Sequence, residues 1–589
     1  MPKINIREID DTGSELDYSY LENLTLVPGV RLRKMTTSSS DSTVTVLSTV
    51  EGIYTNAKTF LNAVEEAVKT ENAYAGKTDP EGDIVKAIDL TKKKDYGFIY
   101  TCYLLSQGIP VYYLPAYTEN DLLNASDTMS IIPSQFKTVE DEEDGEIVYK
   151  EILSTQETSL PIVKSAHYMF DFDTFTDRGL YDIRFITLAG LSKDEFISKA
   201  LLAAATRSDA VLLTSVPEKG EQGLKVSYDI TIDGETETRT VYLPKTDYSA
   251  SETYEIDING NFVEGSTTGN VKAYKLNTAE KIDSWVQSKL ASAARNYVTH
   301  TGYTWSAVEG KEQIGKYAAI FAPTCVTDLT IVGTAKNYDY KDLKIPADFV
   351  YLTTYGNMIT NKDPWKAVAG PQAGISPLSP TPSVKFGDAD VALFEPREEV
   401  ESVVENRTST KVQLKVCTKE AYVDDEGVSH NAEYATVTGY VLETNSVKNH
   451  VAINPICNID PFGNIIWGNR TMYALQAPEN GSSTKPQLVA SSFLNIRNLI
   501  ISLKKRLYRS SRQFTFASNS DSLWINFKAT VTPLLEKMLH NEGIRGYTIT
   551  KINTTKKALL AAEIKIIPIE AVEDFDLTVT LTDSINVEE

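Results

Sequence analysis

The segment 181–217 limits the fold more than any other stretch of the chain. Ile183 to Ala189 reads as a buried strand. Ser192 stands three residues ahead of Glu195, the pattern of a helix capping box. Asp209 to Val216 reads as a second strand. Two strands joined by a helix run parallel, and a parallel sheet is covered by helices on both faces. The alternation continues on either side. Phe60, Val64 and Val68 step by four along a helix face. Tyr96 to Ser106 reads as a helix closed by Gly108, and Ile109 to Leu114 as the buried strand after it. Ala318 to Ala322 is a further buried strand. The pattern predicts an α/β core.

Other segments do not fit that core. Asp233-Gly234 lies between Tyr228–Ile232 and Thr238–Leu243, a two-residue hairpin signal, and Asn259-Gly260 is a second. Residues 218–275 are therefore expected to be an all-β insertion. Residues 120–160 are acidic and irregular, and the acids from Glu140 to Glu146 mark a solvated turn. Residues 278–297 return to helix, with Ile282, Trp285, Val286, Leu290 and Ala293 on one face. Glycines and prolines around Trp365 predict an ordered loop over 343–382. Residues 384–455 read as mostly β, with a turn at Asp424 to Gly427. Near the end, Phe493, Ile496, Ile500, Leu503 and Leu507 space an amphipathic helix. A second helix begins near Ser520 and ends at Gly543, with Pro533 expected to kink or split it. Strands follow at Gly546 to Asn553, Leu559 to Ile567 and Phe575 to Leu581.

The expected fold is multidomain, α/β and α+β. It has an N-terminal arm over 1–20 and an N-terminal α/β region with an irregular insertion over 21–180. A central core spans 181–217 and 276–383, interrupted by the β insertion at 218–275. The β-rich segment at 384–455, a C-terminal α+β domain at 456–570 and a C-terminal arm at 571–589 complete it. At about 150 residues per domain, the length of 589 residues accommodates several such units.

Charge narrows the function. With 58 Lys+Arg against 80 Asp+Glu, the net charge is −22. That argues against direct nucleic-acid binding, which needs a basic footprint. Copies of such a chain repel one another unless specific contacts overcome the repulsion. No run approaches the length of a membrane span, and the start lacks a secretory pattern. The 4 cysteines are widely spaced, as in a protein folded in a reducing cytosol.

Catalytic signals are missing from the sequence. Histidines and cysteines form no metal-ligand cluster, and no GxSxG, Walker A or GxGxxG pattern occurs. Asp257 to Asn261 faintly resembles a calcium loop but reads as a hairpin turn, and Glu398-Glu399 as solvated surface. No catalytic residue, cofactor or metal is expected.

Interaction chemistry stands out instead. Ile4 and Ile6 alternate with polar residues, and Phe575, Leu577, Val579 and Leu581 do the same at the other end. Asp10 to Ser14 reads as a tether, and Ala571 to Asp574 as another. A lone strand must pair, either within its own subunit or with a neighbour's sheet. Arg497, Lys504, Lys505, Arg506, Arg509 and Arg512 form a basic run without an acid between Leu488 and Arg512. It either offsets the helix dipole or meets an acidic partner.

A set of blocks between roughly 320 and 585 resembles a known family. Pro461-Phe462-Gly463-Asn464-Ile465-Ile466-Trp467-Gly468-Asn469-Arg470-Thr471 is similar to the Gly-x-x-x-Trp-Gly-x-[Arg or Lys]-Thr segment of contractile-tail sheath proteins. Phe493 to Leu499 resembles their Ile-Asn-Val-Arg-Arg-Leu helix, Phe514 to Trp524 their inter-helix segment, and Ile564 to Leu581 their closing strands. Pro364 to Gly370 resembles their Trp-x-x-Pro-Ala-Gly loop, with Val368 in place of the proline. The blocks follow the family's order.

The resemblance implies a bacteriophage tail sheath subunit. Such subunits polymerise in rings or a helix around an inner tail tube in a metastable extended state. Contraction then drives the tube through the host envelope. It implies homo-oligomers, strand exchange through both arms, baseplate and tail terminator proteins at the ends, and a place in the virion after assembly in the host cytoplasm. Membrane insertion and direct nucleic-acid contact are not implied. It also puts the C-terminal domain beside the tube. Lys504, Lys505, Arg506 and Arg509 are then expected to face the tube or a neighbour's acidic arm around Glu573, Asp574 and Asp576. The alternatives are a sheath subunit of a phage-like contractile injection system, an α/β hydrolase-like enzyme, and a low-order binding module whose termini fold back on its own sheet.

Overall fold

The computed structural model describes residues 23–37, 44–79, 85, 87–92, 95–117, 136–143, 146–153, 182–191, 194–220, 224–232, 234–243, 253–258, 260, 263, 274–294, 297–299, 311–359, 362–395, 405–419, 421–423, 428–444, 450–473, 490–553 and 559–569. In chain order the strands that build its principal sheets are β1 (Thr25–Val30), β2 (Gly52–Tyr54), β3 (Val111–Tyr117), β4 (Phe185–Thr187), β5 (Val211–Ser215), β6 (Leu224–Ile232), β7 (Glu235–Leu243), β8 (Thr253–Ile256), β9 (Ala318–Ala322), β10 (Glu405–Lys419), β11 (Glu433–Thr444), β12 (Asn454–Ile459), β13 (Gly463–Ile466), β14 (Ile544–Ile552) and β15 (Ala561–Pro568). The helices that matter below are α1 (Ala57–Asn72), α2 (Tyr96–Ser106), α3 (Asp194–Arg207), α4 (Ala279–Lys289), α5 (Ala347–Ile359), α6 (Leu494–Arg512) and α7 (Asp521–His540).

The central sheet has eight strands in the order β13-β12-β9-β5-β4-β1-β3-β2. From β12 to β3 every pairing is parallel. An antiparallel strand closes each side, β13 on β12 and β2 on β3. Every residue of β1, β4, β5 and β9 is buried, as a sheet covered on both faces requires. The covering helices start where side chains satisfy their first amides. Asn56 accepts from the Lys58 amide at 2.8 Å ahead of α1, and Asp95 from the Phe98 amide at 3.3 Å ahead of α2. Helix α2 lies so close to β1 that a Cβ on Gly97 would stand 2.3 Å from the Gly29 Cα.

A second sheet has five strands in the order β7-β6-β11-β10-β8. It joins the segment expected as an insertion to the β-rich segment nearly two hundred residues later: Val226 pairs with Val441, and Tyr254 with Leu414. Val226, Tyr228, Ile230, Tyr254, Ile256, Val412, Leu414 and Val416 form its own apolar cluster. The hairpin expected here is found, with Ile232 opposite Glu235 and Gly234 at φ 84°; Asp233 lies outside the described residues.

Three expectations are corrected. Residues 343–382 contain a helix, α5, where an ordered loop was predicted. Almost all of α5 is buried, so its apolar residues show no one-sided period. Residues 136–143 and 146–153 pair as an antiparallel hairpin inside the stretch expected to be irregular. Helix α7 is continuous through Pro533 and is not split in two. Pro533 lies on the exposed side, where water can satisfy the carbonyl that loses its amide partner.

Candidate functional site

Helix α6 joins two apolar cores. Leu499, Leu503 and Leu507 pack with Trp365, Val531, Leu535, Met538 and Ile544 in a small C-terminal core. Leu494 and Ile501 belong to the core of the central sheet. Between these stripes the helix is held by polar contacts. Arg184, at the foot of β4, is wholly buried. Its Nη1 donates to Ser502 Oγ at 3.0 Å and its Nη2 to the Asn498 carbonyl at 3.1 Å. Asn498 Nδ2 donates to Tyr351 Oη at 3.2 Å. Lys505 Nζ meets Asp182 Oδ1 at 2.8 Å. Arg207 and Asp209 pair beside them at 3.1 Å, both fully buried.

This overturns the surface role expected for two of the basic residues. Lys504 is 3% exposed and Lys505 1% exposed. Lys505 continues a second stripe, Leu494, Asn498 and Ile501, that faces the body, and Asp182 offsets its charge there. Arg506 is half-buried, with its guanidinium 5.8 Å from the Trp365 ring. The Arg509 side chain lies outside the described residues. Burial pushes the Asp182 carboxyl up to about 6, with Lys505 opposing the shift. Burial likewise lowers Lys505, opposed by Asp209 and Asp182. Both shifts favour the neutral forms, the usual consequence of low dielectric.

Beside α7, strands β14 and β15 pair with each other from Ile544–Pro568 to Ile552–Ala561. Among the described residues neither pairs with any other strand. Tyr547, Ile549, Ile564 and Ile566 pack one face against the C-terminal core, whereas Ile567 is 61% exposed. The arm residues Ile4, Ile6, Phe575, Leu577, Val579 and Leu581 lie outside the described residues.

The most enzyme-like constellation is Asp348, in the first turn of α5 at the carboxyl edge of the sheet. Parallel sheets commonly bind ligands at this edge. Here Asp348 is buried and accepts from Ser215 Oγ at 2.5 Å, Thr187 Oγ1 at 2.5 Å and Tyr100 Oη at 3.0 Å. Burial raises its pKa, and the three hydroxyls oppose that shift. The cluster ties α2, β4, β5 and α5 together. Sequence reading missed it because Asp348, Ser215, Thr187 and Tyr100 are far apart in the chain. His450 Nε2 and Asp283 Oδ1, 2.7 Å apart, similarly fix α4 to the chain ahead of β12. The cysteines are buried and free. Among the described residues no group of His, Cys, Asp and Glu could hold a metal ion. No described helix is long and apolar enough to cross a membrane.

No protein-family model matches the chain, and no curated protein does. Among solved structures, it is similar to a chain of the sheath complex of an extracellular contractile injection system, PVC, in the contracted state. That alignment has 12% identity and a TM-score of 0.42, covering 99% of this chain and 98% of the other. It is also similar to a chain of the anti-feeding prophage (AFP) baseplate, at 9% identity and a TM-score of 0.43, covering 99% of each chain.

Proposed function

We propose that the chain is a structural subunit of a contractile sheath, built to polymerise with its own copies around an inner tube. The observation that carries this reading is the β14–β15 pair. Two strands give a sheet of marginal independent stability. Among the described residues their outer edges meet no further strand, and such edges are a template for another chain. The chain ends supply segments of the matching kind: Ile4 and Ile6 alternate with polar residues at one terminus, and Phe575 to Leu581 at the other. Arms from neighbouring copies add to the edges of this pair by backbone hydrogen bonding. The ordered sequence blocks from Pro364 to Leu581 support the same assignment.

The mechanism is mechanical rather than catalytic. Work is stored as a free-energy difference between two packings of rigid bodies, with the tethered arms as hinges. The finer reading is a phage tail, with a tube protein inside and baseplate and terminator proteins at the ends; a phage-like injection device is the second reading. An acidic tube or arm surface would meet Arg506 and the end of α6, since Lys504 and Lys505 are committed inside the subunit. Electron microscopy of the purified protein should show long hollow cylinders. Deleting residues 1–12 or 571–589 should leave a folded monomer that does not polymerise. Cylinders formed by both truncated proteins would refute strand exchange as the link.

A further inference from the structure

The loop between α6 and α7 holds an exposed aromatic side chain. Phe516 is 89% exposed. Its φ of 67° lies in the left-handed region, which disfavours a bulky residue. Exposure and backbone strain thus fall on the same residue. Beside it in sequence, Phe514 lies edge-on to Phe527 with centroids 6.0 Å apart, and Trp524 stacks on Phe527 at 5.9 Å. All three are only partly buried. The loop also abuts one end of the open strand pair. Asn519 Nδ2 donates to the Leu559 carbonyl at 3.2 Å, and Lys551 meets Asp521 at 3.0 Å.

We propose that Phe516 and Trp524 form an apolar seat for Phe575 in the C-terminal arm of a neighbouring copy, fixing the end of the strand it adds to β14–β15. This rests on the strand-exchange reading above and names a contact within it. Charge chooses the arm. Arg506, Arg509 and Arg512 precede the loop in sequence, and Arg512 is exposed. Phe575 is flanked by Glu573, Asp574 and Asp576, whereas Ile4 and Ile6 stand in Lys3-Ile4-Asn5-Ile6-Arg7. Path chooses the copy. The subunit's own tail departs after Ile569, whose amide bonds the Gly543 carbonyl at 3.1 Å. That point is at the far end of α7, a helix of 20 residues and so about 30 Å from the loop.

Phe516→Gly separates a contact from a packing role, because glycine accepts the left-handed φ. The monomer should keep or raise its thermal midpoint. The concentration needed for cylinder assembly should rise at least about tenfold, the effect of losing one buried aromatic contact. Assembly at the wild-type concentration would overturn the proposal. If deletion of 571–589 abolishes assembly while Phe516→Gly has no effect, strand exchange stands and the seat alone fails. If that deletion leaves assembly intact, the arm reading and the named occupant fail together. A photoreactive benzoylphenylalanine at position 516, in cylinders mixed from ¹⁴N- and ¹⁵N-labelled copies, identifies the occupant. Cross-links to residues 571–589 carrying the other label are expected. Cross-links within one copy, or to any other segment, overturn it.

Discussion

The central sheet and the C-terminal strand pair treat their edges in opposite ways. The eight-stranded sheet ends in short antiparallel strands, three residues in β2 and four in β13. Short edge strands are a standard protection against unwanted pairing. Strands β14 and β15 have nine and eight residues, and among the described residues each leaves one side unpaired. The central sheet closes its edges with short strands, and the C-terminal pair leaves longer edges open, which the proposed function fills with another chain. Stability and assembly should therefore respond to different substitutions.

The largest expected effect lies in the body. Asp348→Ala leaves three buried hydroxyls without their acceptor. It should lower the unfolding free energy in urea by at least about 3 kcal/mol, at about 1–3 kcal/mol for each of the three orphaned groups. The folded fraction should still polymerise at the wild-type concentration. A specific assembly defect at full folding would erase the division between the two regions.

Lys505→Ala tests the seam that joins them. Removing one partner of a buried pair costs about 3–5 kcal/mol, whereas replacing both by neutral groups costs much less. Lys505→Met combined with Asp182→Asn should therefore be more stable than Lys505→Ala in the same denaturation assay. Equal stability would show that α6 is held by its apolar stripes alone.

A pH series sharpens that result. Asp182 rises from the ordinary 3.8 to about 6 in the folded chain. Between these values the native state holds a proton that the unfolded state has released. The group's contribution is present below about pH 4 and is lost as pH rises through 6. The change is about 3 kcal/mol, at 1.36 kcal/mol per pKa unit. Denaturation at pH 4 and pH 7 should show this slope in the wild type and its loss in Asp182→Asn. A slope unchanged by the substitution would assign it to other carboxyls.

The smallest effect on folding compares the edges directly. Ile53 on β2 is 50% exposed and Ile567 on β15 is 61% exposed. Aspartate at either place should change monomer stability by less than about 0.5 kcal/mol. Only Ile567→Asp should weaken polymerisation. Equal assembly of the two variants would mean that the open pair is not the acceptor.

Much of this was legible where an element's ends are marked in the sequence, as by Gly108 after Ser106, or where turns are explicit. Tyr96–Ser106 and Ala318–Ala322 occupy the ranges that the sequence predicts, and β6 and β7 pair in the register expected of a two-residue hairpin. Reading failed where all-round burial was combined with glycines and prolines close by in the sequence. Helix α5 shows no amphipathic period because both of its sides are covered. The basic run on α6 looked like a solvated face. The signal against that was the second stripe, Leu494, Asn498, Ile501 and Lys505, at spacings of four, three and four. A helix with two such stripes is packed on two sides, and a lysine in one of them needs a buried carboxylate. Nothing near Asp182 in sequence identifies it as that partner.

The five-stranded sheet has a consequence for how the chain is made. A ribosome releases β6, β7 and β8 long before β10 and β11. With synthesis at about 5–20 residues per second, Val226 waits roughly 10–40 s for Val441. Throughout that delay a hairpin with Val226, Tyr228 and Ile230 on one side has no lasting cover. Cutting out 218–275 would produce the converse fault, since β10 and β11 would emerge with Val412, Leu414 and Val416 bare. The newborn chain therefore carries this apolar face without its native partners until residue 444 has left the exit tunnel.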